Sequence, residues 1–369
     1  MKSITIELTQ RCPNQCLYCS SFSGECSPQT LTVSIIERII EDAHKLGATE
    51  VAFSGGEPLI QMTELIAGIV KAKELGMQIY VYTSGLLPSD QTISHTIVQP
   101  IWIWHTLKKY DKNLIPVFDI PTLECAMYDF ITLYDRLQDR WSDVCSERRL
   151  IRIQHLMRQI YSEVGLNPQI NFVPMNINCN SIQQIFEWAS ANKMRTNVLA
   201  YVEQGRAKKY RNLLSMTWFE FDRFRVLLND LAILTRGKTV TDKPIMRYDV
   251  RIGTPLTLGN DSQCSGCTAC REKCVVRYDG QVIGCEAFKQ LSIINGTLED
   301  DPHKAFGRNI YTMSLATAVG KNSNFEAVVS TIKSIMEKVK ARTPCPVQNL
   351  MYNRPEAHDI HKIGEYRYE

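Results

Sequence analysis

The run Ser3-Ile4-Thr5-Ile6-Glu7-Leu8-Thr9-Gln10-Arg11-Cys12-Pro13-Asn14-Gln15-Cys16-Leu17-Tyr18-Cys19 decides how this chain is read. Its first seven residues form a strand-like stretch, and three cysteines follow within eight residues. Thiolates suit iron–sulfur clusters, and a cubane cluster has four iron corners. With no fourth cysteine close by, Cys12, Cys16 and Cys19 leave one iron open to a small molecule. Such an arrangement serves chemistry more than structure.

Outward from that loop, short apolar runs alternate with longer helical patterns, the sign of β/α units and a parallel sheet. Strands are expected at 4–8, 50–53, 78–82, 115–120, 169–173 and 196–201, and helices at 33–45, 62–75, 149–164 and 182–191. Six such units predict an α/β fold, a partial (β/α)6 TIM-type barrel, with its site on the loops after the strands. The three-cysteine loop follows the first strand, where that rule places a site. Residues 86–113 are long for one connection and carry Trp102 and Trp104. They read either as a lid or as an extra helix packed on the barrel. A further amphipathic helix is expected at 218–234.

After the second strand comes Ser54-Gly55-Gly56-Glu57-Pro58. Two glycines let backbone approach a ligand, and the carboxylate can accept hydrogen bonds from an ammonium group. Together with the cysteine spacing and the aromatic Tyr18 before Cys19, this resembles the radical S-adenosylmethionine (radical SAM) superfamily. The resemblance implies a [4Fe-4S] cluster on Cys12, Cys16 and Cys19, with S-adenosylmethionine on the open iron. It implies that Gly55, Gly56, Glu57 and Pro58 hold the methionine amino group. Thr83-Ser84-Gly85 ends the third strand, so Ser84 is a further cofactor candidate. Asn178, after the fifth strand, is another, and Val202-Glu203-Gln204-Gly205-Arg206-Ala207 follows the sixth. Each reads equally as a plain strand-to-helix turn. Asp119, after the fourth strand, either faces the site or caps a turn.

A second cysteine group comprises Cys264, Cys267, Cys270, Cys274 and Cys285, with Cys345 far downstream. Paired Cys-x-x-Cys spacing alone suggests a zinc ribbon. However, residues 275–285 read as a β-hairpin with an Asp279-Gly280 turn. Cys267, twelve residues, Gly280, four residues and Cys285 resemble the opening of the SPASM auxiliary-cluster domain. Its shortened twitch form carries one auxiliary [4Fe-4S] cluster and is the better match. Cys267, Cys285 and Cys345 are the first expected ligands, with Cys264, Cys270 or Cys274 as the fourth. The organisation expected is a barrel at 1–215, a helical linker at 216–261 and a smaller cysteine-rich hairpin/helix domain at 262–369. Cys26, Cys125, Cys145 and Cys179 are isolated and default to structural thiols.

Composition narrows the partners. A formal charge of +3 over 369 residues gives no argument for nucleic acid or an anionic membrane. No window approaches the roughly 18 apolar residues of a membrane helix. No signal-peptide core follows Met1, and thirteen cysteines argue for metal or redox work, so a cytoplasmic setting is expected. The resemblance implies an electron donor, such as a flavodoxin, ferredoxin or reductase. It implies hydrogen-atom abstraction from either a peptide or protein, which is preferred, or a small metabolite such as a nucleotide or sugar. A non-catalytic metal sensor is the remaining alternative, and it leaves the Gly-Gly-Glu-Pro string unexplained.

Overall fold

The structure is a computed structural model. It describes residues 1–24, 29–88, 96–133, 147–235, 245–246, 248–253, 256, 270–289, 292–294, 297–299, 308–320, 324–338 and 345.

Six parallel strands form the frame: β1 (Ser3–Thr9), β2 (Glu50–Gly55), β3 (Gln78–Thr83), β4 (Ile115–Asp119), β5 (Gln169–Phe172) and β6 (Arg195–Val198). They lie side by side in chain order, as successive right-handed β/α crossovers require. Helices fill the connections: α1 (Val33–Lys45), α2 (Met62–Glu74), α3 (Ile101–Tyr110), α4 (Cys125–Leu133), α5 (Glu147–Gln159) and α6 (Ile182–Ala191). Helix α1 shows why they dock: Ile36, Ile39, Ile40 and Ala43 recur at helical spacing and are all buried. Strand β1 buries Ile4, Ile6 and Leu8 in the same core, so Thr5 and Glu7 point to the opposite, helix-free face.

All six expected strands and the four expected helices are present within a few residues. The 149–164 helix begins at Glu147 and widens into a π turn over Ile160–Val164. The long 86–113 segment is a short hairpin (Leu86–Pro88 with Thr96–Val98) followed by α3. Trp104 is buried against Phe118, with ring centroids 5.8 Å apart, whereas Trp102 is 60% exposed. This is the packed-helix reading, not the lid. The 218–234 helix is α7 (Trp218–Ala232).

The sheet extends past six strands at both sides. Strand β7 (Val250–Ile252) pairs parallel with β6. Strand β8 (Lys273–Val276) pairs parallel with β1, placing Ser3 opposite Lys273 and Ile6 opposite Val276. It then turns back into β9 (Val282–Ile283). The hairpin read at 275–285 is therefore real, and it continues the main sheet. The order is β7-β6-β5-β4-β3-β2-β1-β8-β9, and no closure between its two ends is seen among the described residues. Near the C-terminus lie α8 (Leu315–Val319) and α9 (Asn324–Lys338). Among the described residues, no helix is long and apolar enough to cross a membrane.

Candidate functional site

The loop leaving β1 is held by backbone bonds on two sides. Cys12 N–H donates to Gly24 (2.9 Å), and Gly24 N–H donates to Gln10 (3.1 Å), which closes the loop on itself. Gln15 and Leu17 N–H groups donate to Thr132 and Ile131 at the end of α4, 3.0 and 2.9 Å away. Leu17, fully buried, anchors the middle of the loop. The N–H of Ser23 donates to Cys19 Sγ at 3.2 Å.

Cys12 is buried, while Cys16 and Cys19 are partly exposed. Burial, reinforced by the neighbouring thiols, pushes Cys12 well above its usual range and Cys16 up to about 12. Left alone, Cys12 and Cys16 are held as neutral thiols, and a bound cation is what would ionise them. Among the described residues, no three His, Cys, Asp or Glu side chains converge at the spacing of a single metal ion. A cluster takes one thiolate per iron and so spreads its donors. Three thiols on one loop fit a cluster ligated at three corners.

The exit of β2 packs directly on this loop. A Cβ at Gly56 would lie 2.1 Å from Arg11 O, and one at Gly55 2.3 Å from Thr9 O. Gly56 N–H donates to Thr9 (2.6 Å), and Glu57 N–H donates to Arg11 (2.8 Å). The two glycines are thus needed for one loop to lie against the other. The Glu57 carboxylate, wholly buried, accepts from Thr83 Oγ1 (2.9 Å), Ser84 Oγ (2.7 Å), Ser84 N–H (2.9 Å) and Leu59 N–H (3.3 Å). It caps the short turn Pro58–Ile60 and straps the exits of β2 and β3 together. Burial lifts its pKa to about 7, with the Ser84 and Thr83 hydrogen bonds working against that rise.

From the exit of β6, Gly205 and Arg206 grip the cysteine loop. Arg206 N–H donates to Cys19 O (3.0 Å), and the guanidinium donates to Cys16 O (3.0 Å) and Ser23 O (2.7 Å). The guanidinium also lies over the Phe22 ring, 5.1 Å from its centre. Gly205, at φ 62°, would place a Cβ 2.5 Å from both Cys19 O and Ser20 O. In the sequence the Gly-Arg stretch reads equally as a cofactor contact or a plain turn; its hold on the loop depends on tertiary contact.

The helix-free face in front of the loop is polar. Asp119, Asn171 and Asn197 stand opposite one another on β4, β5 and β6. Asn197 Nδ2 donates to Asn171 Oδ1 at 3.3 Å. Asp119 therefore faces the site. Burial raises its pKa to about 6, against a hydrogen bond from Asn171 and the charge of Lys289. Lys289 and Glu7, which the sequence did not single out, form a buried pair in the same space.

The remaining candidates divide. Ser84 belongs to the Glu57 strap. The Asn178 side chain accepts from Met175 N–H (2.6 Å) and donates to Pro121 O (2.9 Å) and Val173 O (3.1 Å), bracing the exits of β4 and β5. Cys274 is 1% exposed, opposite core residue Ile4, with its sulfur 3.3 Å from Met1 Sδ. Cys270 packs on Gly284, so that a Cβ there would meet Cys270 Sγ at 2.0 Å. That puts Cys270 next to Cys285. Cys345 packs on the core, and Cys264 and Cys267 lie outside the described residues, as do Cys26 and Cys145.

Residues 6–99 match the family model described as the Radical SAM superfamily. Among solved structures the chain is similar to Streptococcus suis SuiB bound to S-adenosylmethionine, with TM-score 0.59 and 18% identity, over 89% of this chain and 67% of that one. SuiB bound to its precursor peptide SuiA aligns with TM-score 0.61 and 16% identity, over 93% and 73%. Native anSMEcpe, with bound AdoMet and the Cp18Cys peptide, aligns with TM-score 0.56 and 14% identity, over 89% and 82%.

Proposed function

We propose that this chain, which carries a radical SAM domain over residues 6–99, is an enzyme that binds a [4Fe-4S] cluster on Cys12, Cys16 and Cys19 and modifies a peptide or protein. One observation carries the reading. The exits of β2, β3 and β6 converge on the three-cysteine loop through Gly56, Glu57 and Arg206, all at the C-terminal rim of a parallel sheet. With S-adenosylmethionine bound and one electron delivered by an external donor, such a cluster would supply reductive cleavage of the cofactor's C–S bond, giving methionine and a 5′-deoxyadenosyl radical able to remove a substrate hydrogen atom.

The chain's own residues hold and shield. Gly55, Gly56, Glu57 and Pro58 offer the methionine end a rim beside the open corner. An ammonium arriving at Glu57 takes the place of the Ser84 or Thr83 hydroxyl, since both oxygens already carry protein donors. Asn178 keeps the rim of β4 and β5 in place. The polar face bearing Asp119, Asn171 and Asn197 lies where a substrate backbone would rest. The peptide preference is supported by the peptides bound in the SuiB and anSMEcpe structures. A second, auxiliary [4Fe-4S] cluster in the C-terminal region would use Cys285 and Cys345, with Cys267. The packing of Cys270 beside Cys285 favours it over the core-facing Cys274 as a further ligand. The electrons come from a flavodoxin, a ferredoxin or a reductase.

The test is anaerobic reconstitution with iron counting, followed by chromatographic assay of 5′-deoxyadenosine under reduction. About eight irons per chain are expected for two such clusters. Alanine at Cys12, Cys16 or Cys19 is expected to abolish 5′-deoxyadenosine while leaving far-UV circular dichroism unchanged. Cys274→Ala is expected to keep the wild-type iron count and Cys270→Ala to lower it. Turnover surviving all three loop substitutions refutes the assignment.

A further inference from the structure

Lys289 reaches the cysteine loop from the far end of the chain. It follows β9 and the short turn Glu286–Phe288. Its ammonium lies 2.6 Å from Glu7 Oε1 and 2.9 Å from Ser21 Oγ. Ser21 Oγ donates to the same Glu7 oxygen at 3.1 Å. Glu7 belongs to the strand leading into the loop, and Ser21 is two residues past Cys19. One ammonium thus touches both the way in and the way out.

The pair is deep: Glu7 has no exposed surface and Lys289 is 7% exposed. Glu7 Oε2 has no hydrogen-bond partner among the described residues, and Arg277 Nε stands 3.9 Å from it. Arg277 in turn donates to the Lys289 carbonyl at 3.0 Å. Desolvating such a pair is costly, and apolar side chains of equal volume would join the two segments at least as well. What apolar side chains lack is a field. Here Lys289 and Arg277 stand on either side of the Glu7 carboxylate directly behind the loop. Asp279 lies 3.7 Å from Arg277 on its other side, and Glu286 and Asp119 are within reach of the Lys289 charge. Of these cations Lys289 is the one bonded to the loop itself, through Ser21.

We propose that Lys289 is a positioning residue that raises the reduction potential of the cluster held by Cys12, Cys16 and Cys19, with Glu7 fixing its place and offsetting part of its charge. The inference rests on the function proposed above. Each added electron makes a cluster more negative, so a neighbouring cation favours the reduced state and a neighbouring anion opposes it. Lys289 enters from beyond residues 6–99, so a segment outside the matched domain sets a property of the centre inside it.

The experiment is a redox titration of the reconstituted full-length chain, followed by electron paramagnetic resonance. The signal followed is the one that changes when S-adenosylmethionine is added. Lys289→Met is expected to move its midpoint to a more negative potential, Lys289→Arg to restore the wild-type value, and Glu7→Gln to move it positive. An unchanged midpoint in both Lys289→Met and Glu7→Gln, with iron content preserved, overturns the proposal and leaves the pair a structural tie. If Lys289→Met fails to hold iron, the positive shift of Glu7→Gln decides alone, and its absence overturns the proposal. A wild-type chain whose signals ignore S-adenosylmethionine overturns the underlying function as well, a result distinct from an unchanged midpoint.

Discussion

Glu57 is a carboxyl sealed from water, and its titration gives the site a measurable signature. Burial raises its pKa from the usual 4.5 to about 7, so the folded chain binds this proton more tightly than the unfolded chain. The contribution to stability is fullest below pH ~4.5 and is lost as pH rises toward ~7. Glu57→Gln has no proton to lose. Its stability relative to wild type is expected to climb across that window by at most about 3 kcal/mol and then level off. Thermal melts of the apo-protein at several pH values check this, and a difference that is flat with pH contradicts it. Single residues also show where local pattern stops informing. Cys12, Cys16 and Cys19 could be picked out because a short loop must bring them near one another. The Glu7–Lys289 pair could not, because nothing local in either residue's surroundings marks the other.

Between elements, the β6 exit is the clasp on the cysteine loop. Removing the buried Arg206 side chain leaves the carbonyls of Cys16 and Ser23 without their charged donor. Arg206→Ala is expected to lower apo-protein stability by about 2–4 kcal/mol and to reduce iron retained after reconstitution. Arg206→Lys should recover little, because an ammonium lacks the fork that spans two carbonyls. Equal melting temperatures and iron contents for wild type and Arg206→Ala would count against the clasp. At this scale the sequence was readable wherever an element's own periodicity described its burial. Helix α1 appears at the expected residues because its apolar stripe is regular. Segment 86–113 stayed ambiguous because exposed Trp102 and buried Trp104 lie two positions apart, and only the packing on Phe118 separates their roles.

In the whole molecule, strand β8 flanks β1 on the side away from β2 and covers what would otherwise be a bare edge. A chain ended after residue 260 loses that cover, and exposed parallel edges recruit other chains. Such a truncation is expected to self-associate in light scattering, whereas a well-behaved monomer would show that β1 tolerates an open edge. Neither the hairpin's pattern nor its Asp279-Gly280 turn revealed this neighbour, since parallel pairing across the length of a chain leaves no local trace. The pairing also bears on how the protein comes to be made. Strand β1 leaves the ribosome long before its second partner, Lys273–Val276, which follows the whole run of β/α units in the chain. Contacts so distant in sequence form slowly, and a nascent chain spends that interval with unpaired backbone beside its three loop thiols. Chaperone binding and cluster delivery would then compete for the same stretch of time during synthesis.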